Sequence, residues 1–163
     1  MLPDQTEILR RLLLAAFFGV LFGIERRHRK KPIGARTNVL IAIAAATLSI
    51  ISAYGFTEAA ELANSYYNFR SDPARLMVGM LTGIGFIGAG IIYKGPHGDV
   101  KGITTAAEVY LMAVIGIGAG LGLFRLVITT GLIGYIVLFC SEETMSGIRE
   151  KMRSLRMPKD KEE

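Results

Sequence analysis

The stretch ERRHRKKPIGAR, residues Glu25 to Arg36, carries six basic residues and separates two long apolar runs. The run after it, Thr37 to Phe56, contains no charged residue. A helix of about twenty uncharged residues is ~30 Å long, which matches the hydrocarbon thickness of a bilayer. A dense basic loop beside such a run is typical of the cytoplasmic side of a membrane-spanning protein. This junction therefore predicts a membrane protein and the side that its first loop faces.

The segregation of charge along the chain indicates the same class. The sequence is 51% hydrophobic and 20% charged, and the charged residues fall into a few clusters. A net charge of +5 would also suit a nucleic-acid-binding protein, but the cations lie beside apolar runs, where anionic lipid headgroups would be. We therefore predict the lipid bilayer as a partner and no nucleic acid.

Five membrane spans are predicted, so the fold class is an all-α polytopic membrane protein. The spans cover residues 5–24, 37–56, 73–93, 105–124 and 126–141. With the N-terminus outside, fourteen Lys and Arg residues lie inside and five outside, which favours an N-out, C-in topology. Asp72 and Pro73 suit the N-cap and first position of the third span. The polar stretch TEAAELAN, which begins at Thr57, is predicted to form a short helix.

The predicted organisation is a five-helix transmembrane domain, residues 1–141, followed by a basic cytoplasmic tail, residues 142–163. Met145, Ile148, Met152 and Leu155 recur at helical spacing in this tail, between basic residues. This pattern favours an amphipathic helix on the inner membrane face, and the alternative is an extension of the last span into solvent.

Glycines recur at short intervals in three of the spans. Small residues let membrane helices approach closely, so these glycines are predicted to form packing surfaces. The alternative is a locally unwound backbone beside a polar cavity, for which Gly83-Ile84-Gly85 is the best candidate. The predicted packing residues are Gly19, Gly23, Gly79, Gly83, Gly85, Gly88, Gly90, Gly116 and Gly120.

Charged residues in or near the spans are candidate functional residues. Glu108 follows Thr105 by three residues, a spacing that predicts a capping box at the start of the fourth span. The alternative is an inner-facing carboxylate that binds a cation or a basic loop residue. Glu25 is expected to pair either with Arg26 or with Arg36, which opens the second span.

Three sequence blocks together resemble the MgtC/SapB family of bacterial and archaeal inner-membrane proteins. They are GVLFGIERRHRKKPIGARTNVLIAIAAA from Gly19, DPARLMVGMLTGIGFIGAGIIYKG from Asp72 and VKGITTAAEVYLMAVIGIGAGLGLF from Val100. The chain departs from the family at Glu108-Val109-Tyr110, where the family usually has a small residue followed by Leu-Trp. Some members also add a cytoplasmic domain after the fifth span. The residues predicted to form a functional polar cluster are Glu25, Arg26, Arg36, Thr37, Asp72, Arg75, Thr104, Thr105 and Glu108.

The resemblance implies a multi-pass protein of the bacterial or archaeal cytoplasmic membrane, linked to magnesium homeostasis and to survival of pathogens in host cells. It favours a non-enzymatic modulator of other membrane proteins that forms a homodimer or binds a membrane-protein partner. The alternative is a transporter or channel for Mg²⁺ or another small ion. No set of residues typical of an enzyme active site lies within a span, and no cofactor is predicted. The identity of any metal ligands, and a role for Mg²⁺ itself, stay open at this point.

Overall fold

The computed structural model describes residues 2–28, 31, 33–56, 58–59, 72–96 and 98–138. Their main elements are helices, which we number α1 (Gln5–His28), α2 (Ala35–Ile50), α3 (Pro73–Ile91), α4 (Ile103–Gly120) and α5 (Phe124–Leu138). A π-helical segment, Ile51–Gly55, continues α2. Two short strands, β1 (Tyr93–Lys94) and β2 (Val100–Lys101), form an antiparallel hairpin between α3 and α4. The connection between the third and fourth predicted spans is therefore a hairpin.

Several of these helices have the length and composition needed to cross a bilayer. Three helical stretches are both long enough and apolar enough, namely Ala35–Gly55, Pro73–Ile91 and Ile103–Gly120. Helix α5 is apolar but shorter. Helix α1 has charged residues near both ends, and its uncharged stretch, Leu12 to Ile24, is only ~20 Å long. The prediction of an all-α polytopic membrane protein is confirmed. Its orientation, N-out and C-in, stays a prediction.

Helices α1, α2 and α4 form the buried centre of the bundle. Phe18 and Phe22 of α1 pack with Met112 and Ile115 of α4, and all four are almost fully buried. A Cβ atom on Gly19 would lie 2.6 Å from the Cα of Val39, so α1 and α2 are in backbone contact. Helix α4 approaches α2 as closely, because a Cβ on Gly116 or Gly120 would overlap a backbone carbonyl of α2. The glycines of α1 and α4 therefore pack within the chain, as expected for membrane helices.

Helix α3 lies at the edge of this bundle. Only 11% of its apolar stretch is buried, compared with 56% for that of α4. It contacts α4 through Gly88, whose added Cβ would meet the Cβ of Ala106 at 3.6 Å. The helix is continuous from Pro73 to Ile91, so the alternative of an unwound backbone at Gly83-Ile84-Gly85 is wrong. Each residue of that stretch keeps its intrahelical conformation even though no neighbouring helix within the described residues covers the two glycines.

The start of α3 agrees with the sequence prediction. The Asp72 carboxylate accepts a hydrogen bond from the Ala74 amide at 3.1 Å, and Pro73 is the first helical residue. A side-chain oxygen at this position satisfies an amide that has no intrahelical partner. Three other predictions lie mostly or wholly outside the described residues: the TEAAELAN helix, the end of the fifth span and the tail from residue 142.

Candidate functional site

A buried polar cluster joins α1, α2 and α4 at the end of the bundle where α1 ends. Arg26 forms an ion pair with Glu108, and its Nη2 donates to the Oγ1 of Thr105 at 2.5 Å. The Nδ2 of Asn38 donates to the Oε1 of Glu108 at 3.0 Å. Arg26, Asn38 and Glu108 are each at most 2% exposed, and Thr105 is 4% exposed. The four side chains form one network, which we call the Arg26–Glu108 cluster.

The helical geometry explains why these residues meet. Arg26 lies in the last turn of α1, and Asn38 lies in the first turn of α2, which follows after a short basic connection. Thr105 and Glu108 are three residues apart on α4 and therefore share one face of that helix. Because α2 runs antiparallel to α1 and parallel to α4, all of these helix ends meet on one side.

Glu108 does not close a capping box, so that prediction is wrong. The N-cap of α4 is Gly102, which makes no side-chain cap hydrogen bond, and the helix begins at Ile103. Gly102 has a φ of +89°, a left-handed conformation that favours glycine, and an added Cβ would also overlap the carbonyl of Ile91. Glu108 therefore lies in the second turn of α4, where its carboxylate points to Arg26. The structure agrees with the alternative prediction, a carboxylate that binds a basic residue, except that this residue, Arg26, lies on a helix and not in a loop.

Burial makes each member of the cluster dependent on the others. An ionised carboxylate or guanidinium out of contact with water is stable only when it is paired and hydrogen-bonded. Breaking such a pair by removing one partner typically costs about 3–5 kcal/mol, since an uncompensated charge remains. Glu25, the neighbour of Arg26 along α1, is also buried. The cluster therefore holds α1, α2 and α4 in a defined register.

The structure brings together only part of the predicted polar set. Arg36, Thr37 and Thr104 are exposed at the same end of the bundle and lie outside the cluster. Among the salt bridges of the described residues, none links Arg36 to Glu25. Asp72 and Arg75 are exposed at the opposite end, where α3 begins. A chain that crosses the membrane repeatedly places these two residues on the side away from Glu108.

Asn38 is the member of the cluster that the sequence prediction missed. It is an uncharged residue one position after Thr37, inside a run that reads as a plain apolar span. The available signal was an amide side chain in the first turn of a membrane helix. Such a side chain must find a hydrogen-bond partner when a neighbouring helix buries it.

A second polar contact links α1 to α4 at the opposite end of the bundle. Arg11 is 8% exposed, its Nη1 donates to the carbonyl of Gly120 at 2.8 Å, and its Nε pairs with Glu7 at 3.1 Å. Its guanidinium also lies 5.6 Å from the centre of the Tyr54 ring, which the π-helical segment carries. A cation at the C-terminus of α4 is favoured by the helix dipole. Two buried arginines of α1 thus hold α4 at both of its ends.

Neither polar region has the ligand set of an ordinary metal centre. Within the described residues there is no group of three or more His, Cys, Asp or Glu side chains that could hold a metal ion. In the Arg26–Glu108 cluster, the guanidinium of Arg26 already provides the positive charge beside the Glu108 carboxylate. The arrangement supports an electrostatic and structural role for the cluster.

These features define a multi-pass helical membrane protein with a buried ion pair at one end of its core. The family model described as the MgtC family matches residues 12–146, and the chain belongs to this family. No solved structure matches this chain.

Three relatives show the extent of the similarity. An uncharacterised protein of Haemophilus influenzae is 39% identical over 132 residues, which is 80% of this chain and 54% of the relative. Protein SapB of Bacillus subtilis is 34% identical over 73% of this chain and 50% of its own length. Protein MgtC of Brucella abortus is 38% identical over 67% of this chain and 40% of its own length. The chain thus spans about half the length of the curated relatives that it matches.

Proposed function

We propose that this chain is a protein of the bacterial or archaeal cytoplasmic membrane that modulates other membrane proteins by binding them, without catalysing a reaction. We further propose that it forms a homodimer and that its role is linked to magnesium homeostasis. Membership of the MgtC family supports the membrane location. The magnesium link is supported by YhiD of Escherichia coli strain K12, a relative named as a candidate magnesium transporter.

The observation that carries the binding role is the open glycine face of α3. Gly79, Gly83, Phe86 and Gly90 are spaced four, three and four residues apart, so they lie along one side of the helix. An added Cβ on any of the three glycines would meet nothing within 4 Å among the described residues, and Phe86 is 82% exposed. Gly88, which faces α4, lies about half a turn away. Small residues on an uncovered membrane helix suit close approach by another helix.

The packing of the core favours this role over transport. Between the Arg26–Glu108 cluster and Arg11, α2 and α4 are in backbone contact at Ala42 with Gly116 and at Ala46 with Gly120. A hydrated path along the seam between α2 and α4 would require these helices to separate. The open face of α3, in contrast, is available for association without any change in the core.

Cysteine cross-linking and vesicle flux test this proposal together. In membranes, Gly83→Cys in a Cys140→Ser background should form a disulfide-linked dimer. In detergent, Gly83→Leu should weaken self-association about ten-fold or more, since the added side chain separates the two helix backbones. Gly85→Leu is the matched control, because Gly85 is equally open but lies on another side of α3. Purified protein in vesicles should carry no Mg²⁺ flux above the level of protein-free vesicles.

The second candidate function is transport of Mg²⁺ or another small ion. The observation in its favour is a buried carboxylate, Glu108, within a membrane helix, because intramembrane carboxylates often mark ion pathways. A measured Mg²⁺ flux that Glu108→Gln abolishes while the variant remains folded would establish this candidate and overturn the modulator. A monomer at all accessible concentrations, with no partner recovered from membranes, would contradict the binding role.

A further inference from the structure

A set of exposed cations surrounds one end of the bundle, where α1 and α3 end and α2 and α4 begin. We call this surface the basic end and define it by Arg27, Arg36, Lys94 and Lys101, all of which are exposed. Of the carboxylates described at this end, Asp99 is the exposed one, and it lies 3.4 Å from Lys101. Glu25 and Glu108 are buried. Arg27, Arg36 and Lys94 take part in none of the salt bridges between described residues.

The helix termini add to the positive potential of the basic end. Helices α2 and α4 begin there with Gly34 and Gly102 as N-caps, without a side-chain cap hydrogen bond and without an acidic residue in the first turn. At the opposite end, Asp72 caps α3 and Glu7 lies in the first turn of α1. The first amides of a helix lack intrahelical partners and carry the positive end of its dipole. Acidic residues thus accompany the starts of α1 and α3, whereas none accompanies the starts of α2 and α4.

Apolar side chains adjoin these cations on the hairpin. Tyr93 is 57% exposed and pairs in register with Lys101, while Val100 is 53% exposed and pairs with Lys94. Each face of the hairpin therefore presents one lysine beside one apolar or aromatic side chain. Such pairs suit the bilayer interface, where the ring or aliphatic group enters the acyl region and the ammonium group reaches the headgroups.

We propose that the basic end is a binding surface for the headgroups of anionic phospholipids. Arg27, Arg36 and Lys94 contact the phosphate oxygens, and the amides of the first turns of α2 and α4 add donors. A free phosphate ion offers the same oxygens, but the exposed apolar side chains of the hairpin match a ligand that also carries acyl chains. This inference does not depend on the proposed modulator function, because lipid binding requires neither a dimer nor a protein partner.

Lipid titration in a neutral detergent tests the inference on the full chain, independently of membrane orientation. Phosphatidylglycerol or phosphatidylcholine is added, and bound lipid is counted by native mass spectrometry. We expect the apparent affinity for phosphatidylglycerol to exceed that for phosphatidylcholine about ten-fold or more at low salt. A cation near an anionic membrane surface contributes about five-fold to binding, so the triple variant R27Q/R36Q/K94Q should lose most of this preference.

The matched control removes three exposed cations from the opposite end, as R10Q/R75Q/R125Q. This variant should keep the preference for phosphatidylglycerol within about two-fold of the unmodified protein. The preference of the unmodified protein should also fall as salt is raised, because exposed charges are screened. If the triple variant at the basic end does not fold, R36Q alone should reduce the affinity for phosphatidylglycerol about five-fold.

Three results would overturn the inference. Equal affinity for the two lipids would show that the headgroup charge is not recognised. An equal loss of preference in both triple variants would show that only the net charge of the protein matters. Full competition by inorganic phosphate at the lipid concentration would assign the surface to a free anion.

Discussion

Helices α3 and α4 are both apolar, glycine-rich and of similar length, yet α4 lies in the buried centre of the bundle and α3 lies at its edge. The glycines of α4 lie against α2, where added Cβ atoms on Gly116 and Gly120 would overlap backbone carbonyls. In α3, Gly79, Gly83, Gly85 and Gly90 have open space around them, and Gly88 alone is buried. A glycine pattern thus predicts that another helix can approach closely. It does not predict which helix does so, because other residues specify the neighbour.

The polar side chains account for the difference between the two helices. Helix α4 carries Glu108 and Thr105, which bond to α1 and α2, and its C-terminal carbonyl of Gly120 accepts from Arg11. In α3, the hydroxyl of Thr82 donates instead to the carbonyl of Val78 in the same helix. In a bilayer, polar contacts specify which helices pair, because apolar side chains gain little by leaving lipid for protein.

The largest effect that distinguishes α4 from α3 should come from the buried ion pair. Glu108→Gln should destabilise the protein by about 3–5 kcal/mol, since Arg26 would be left buried without a counter-charge. The measurement is the free energy of unfolding in detergent. The control on α3, Thr82→Val, removes an exposed hydroxyl that bonds within its own helix and should change stability by less than about 0.5 kcal/mol.

A paired variant separates the ion pair from simple loss of packing. Arg26→Met combined with Glu108→Leu removes both charges, so it should be more stable than either single charge-removing variant. If Glu108→Gln proves as mild as Thr82→Val, the ion pair does not hold α4 in the core.

A smaller difference is expected when one methyl group is added to a glycine of each helix. Gly120→Ala should destabilise the protein by about 1–3 kcal/mol, since the new Cβ overlaps the carbonyl of Ala46. Gly83→Ala, its counterpart on α3, should be neutral or stabilising by up to about 1 kcal/mol, because alanine favours the helix and the position is open. Thermal unfolding of both variants in the same detergent gives the comparison.

Two other outcomes would identify the helix that covers α3. A Gly83→Ala variant that unfolds as readily as Gly120→Ala would mean that α3 is covered within the monomer. A loss of stability that appears for Gly83→Ala only at protein concentrations where the dimer forms would place the covering helix in a second copy.

The smallest effect concerns the contact that ties the start of α3 to the rest of the bundle. The hydroxyl of Ser52, in the π-helical segment, donates to the carbonyl of Pro73 at 2.6 Å. Ser52→Ala should cost about 1 kcal/mol, because one interhelical hydrogen bond is lost. Hydrogen exchange of the first α3 amides should become faster, while exchange in α4 stays unchanged.

Ser49→Ala provides the control for this contact. Ser49 is as buried as Ser52, but its hydroxyl donates to the carbonyl of Ala45 within α2. Its removal should leave the exchange of α3 unaffected. Equal acceleration in both variants would show that the hydrogen bond from Ser52 to Pro73 does not specifically hold the start of α3.

Some local features of the molecule could be predicted because their causes lie within a few residues of sequence. Asp72 next to Pro73 predicts the start of α3, since cap and first position are adjacent. The capping prediction for Glu108 failed because the start of α4 depends on the hairpin that precedes it. The spacing from Thr105 fits a capping box, but the hairpin before it lets Gly102 start the helix earlier and turns Glu108 towards Arg26.

The sequence by itself determined that this protein lies in a membrane and which of its segments are apolar enough to enter lipid, because the free energy of transferring a segment into lipid depends mainly on that segment's own composition. The tertiary structure alone decided that Arg26 meets Glu108 across 82 positions of chain and that the glycines of α4, and not those of α3, are covered. These outcomes depend on how each helix is rotated about its axis and which neighbour it faces. Contacts between segments that are distant in the sequence set both the rotation and the neighbour of each helix, so no local sequence pattern predicts them.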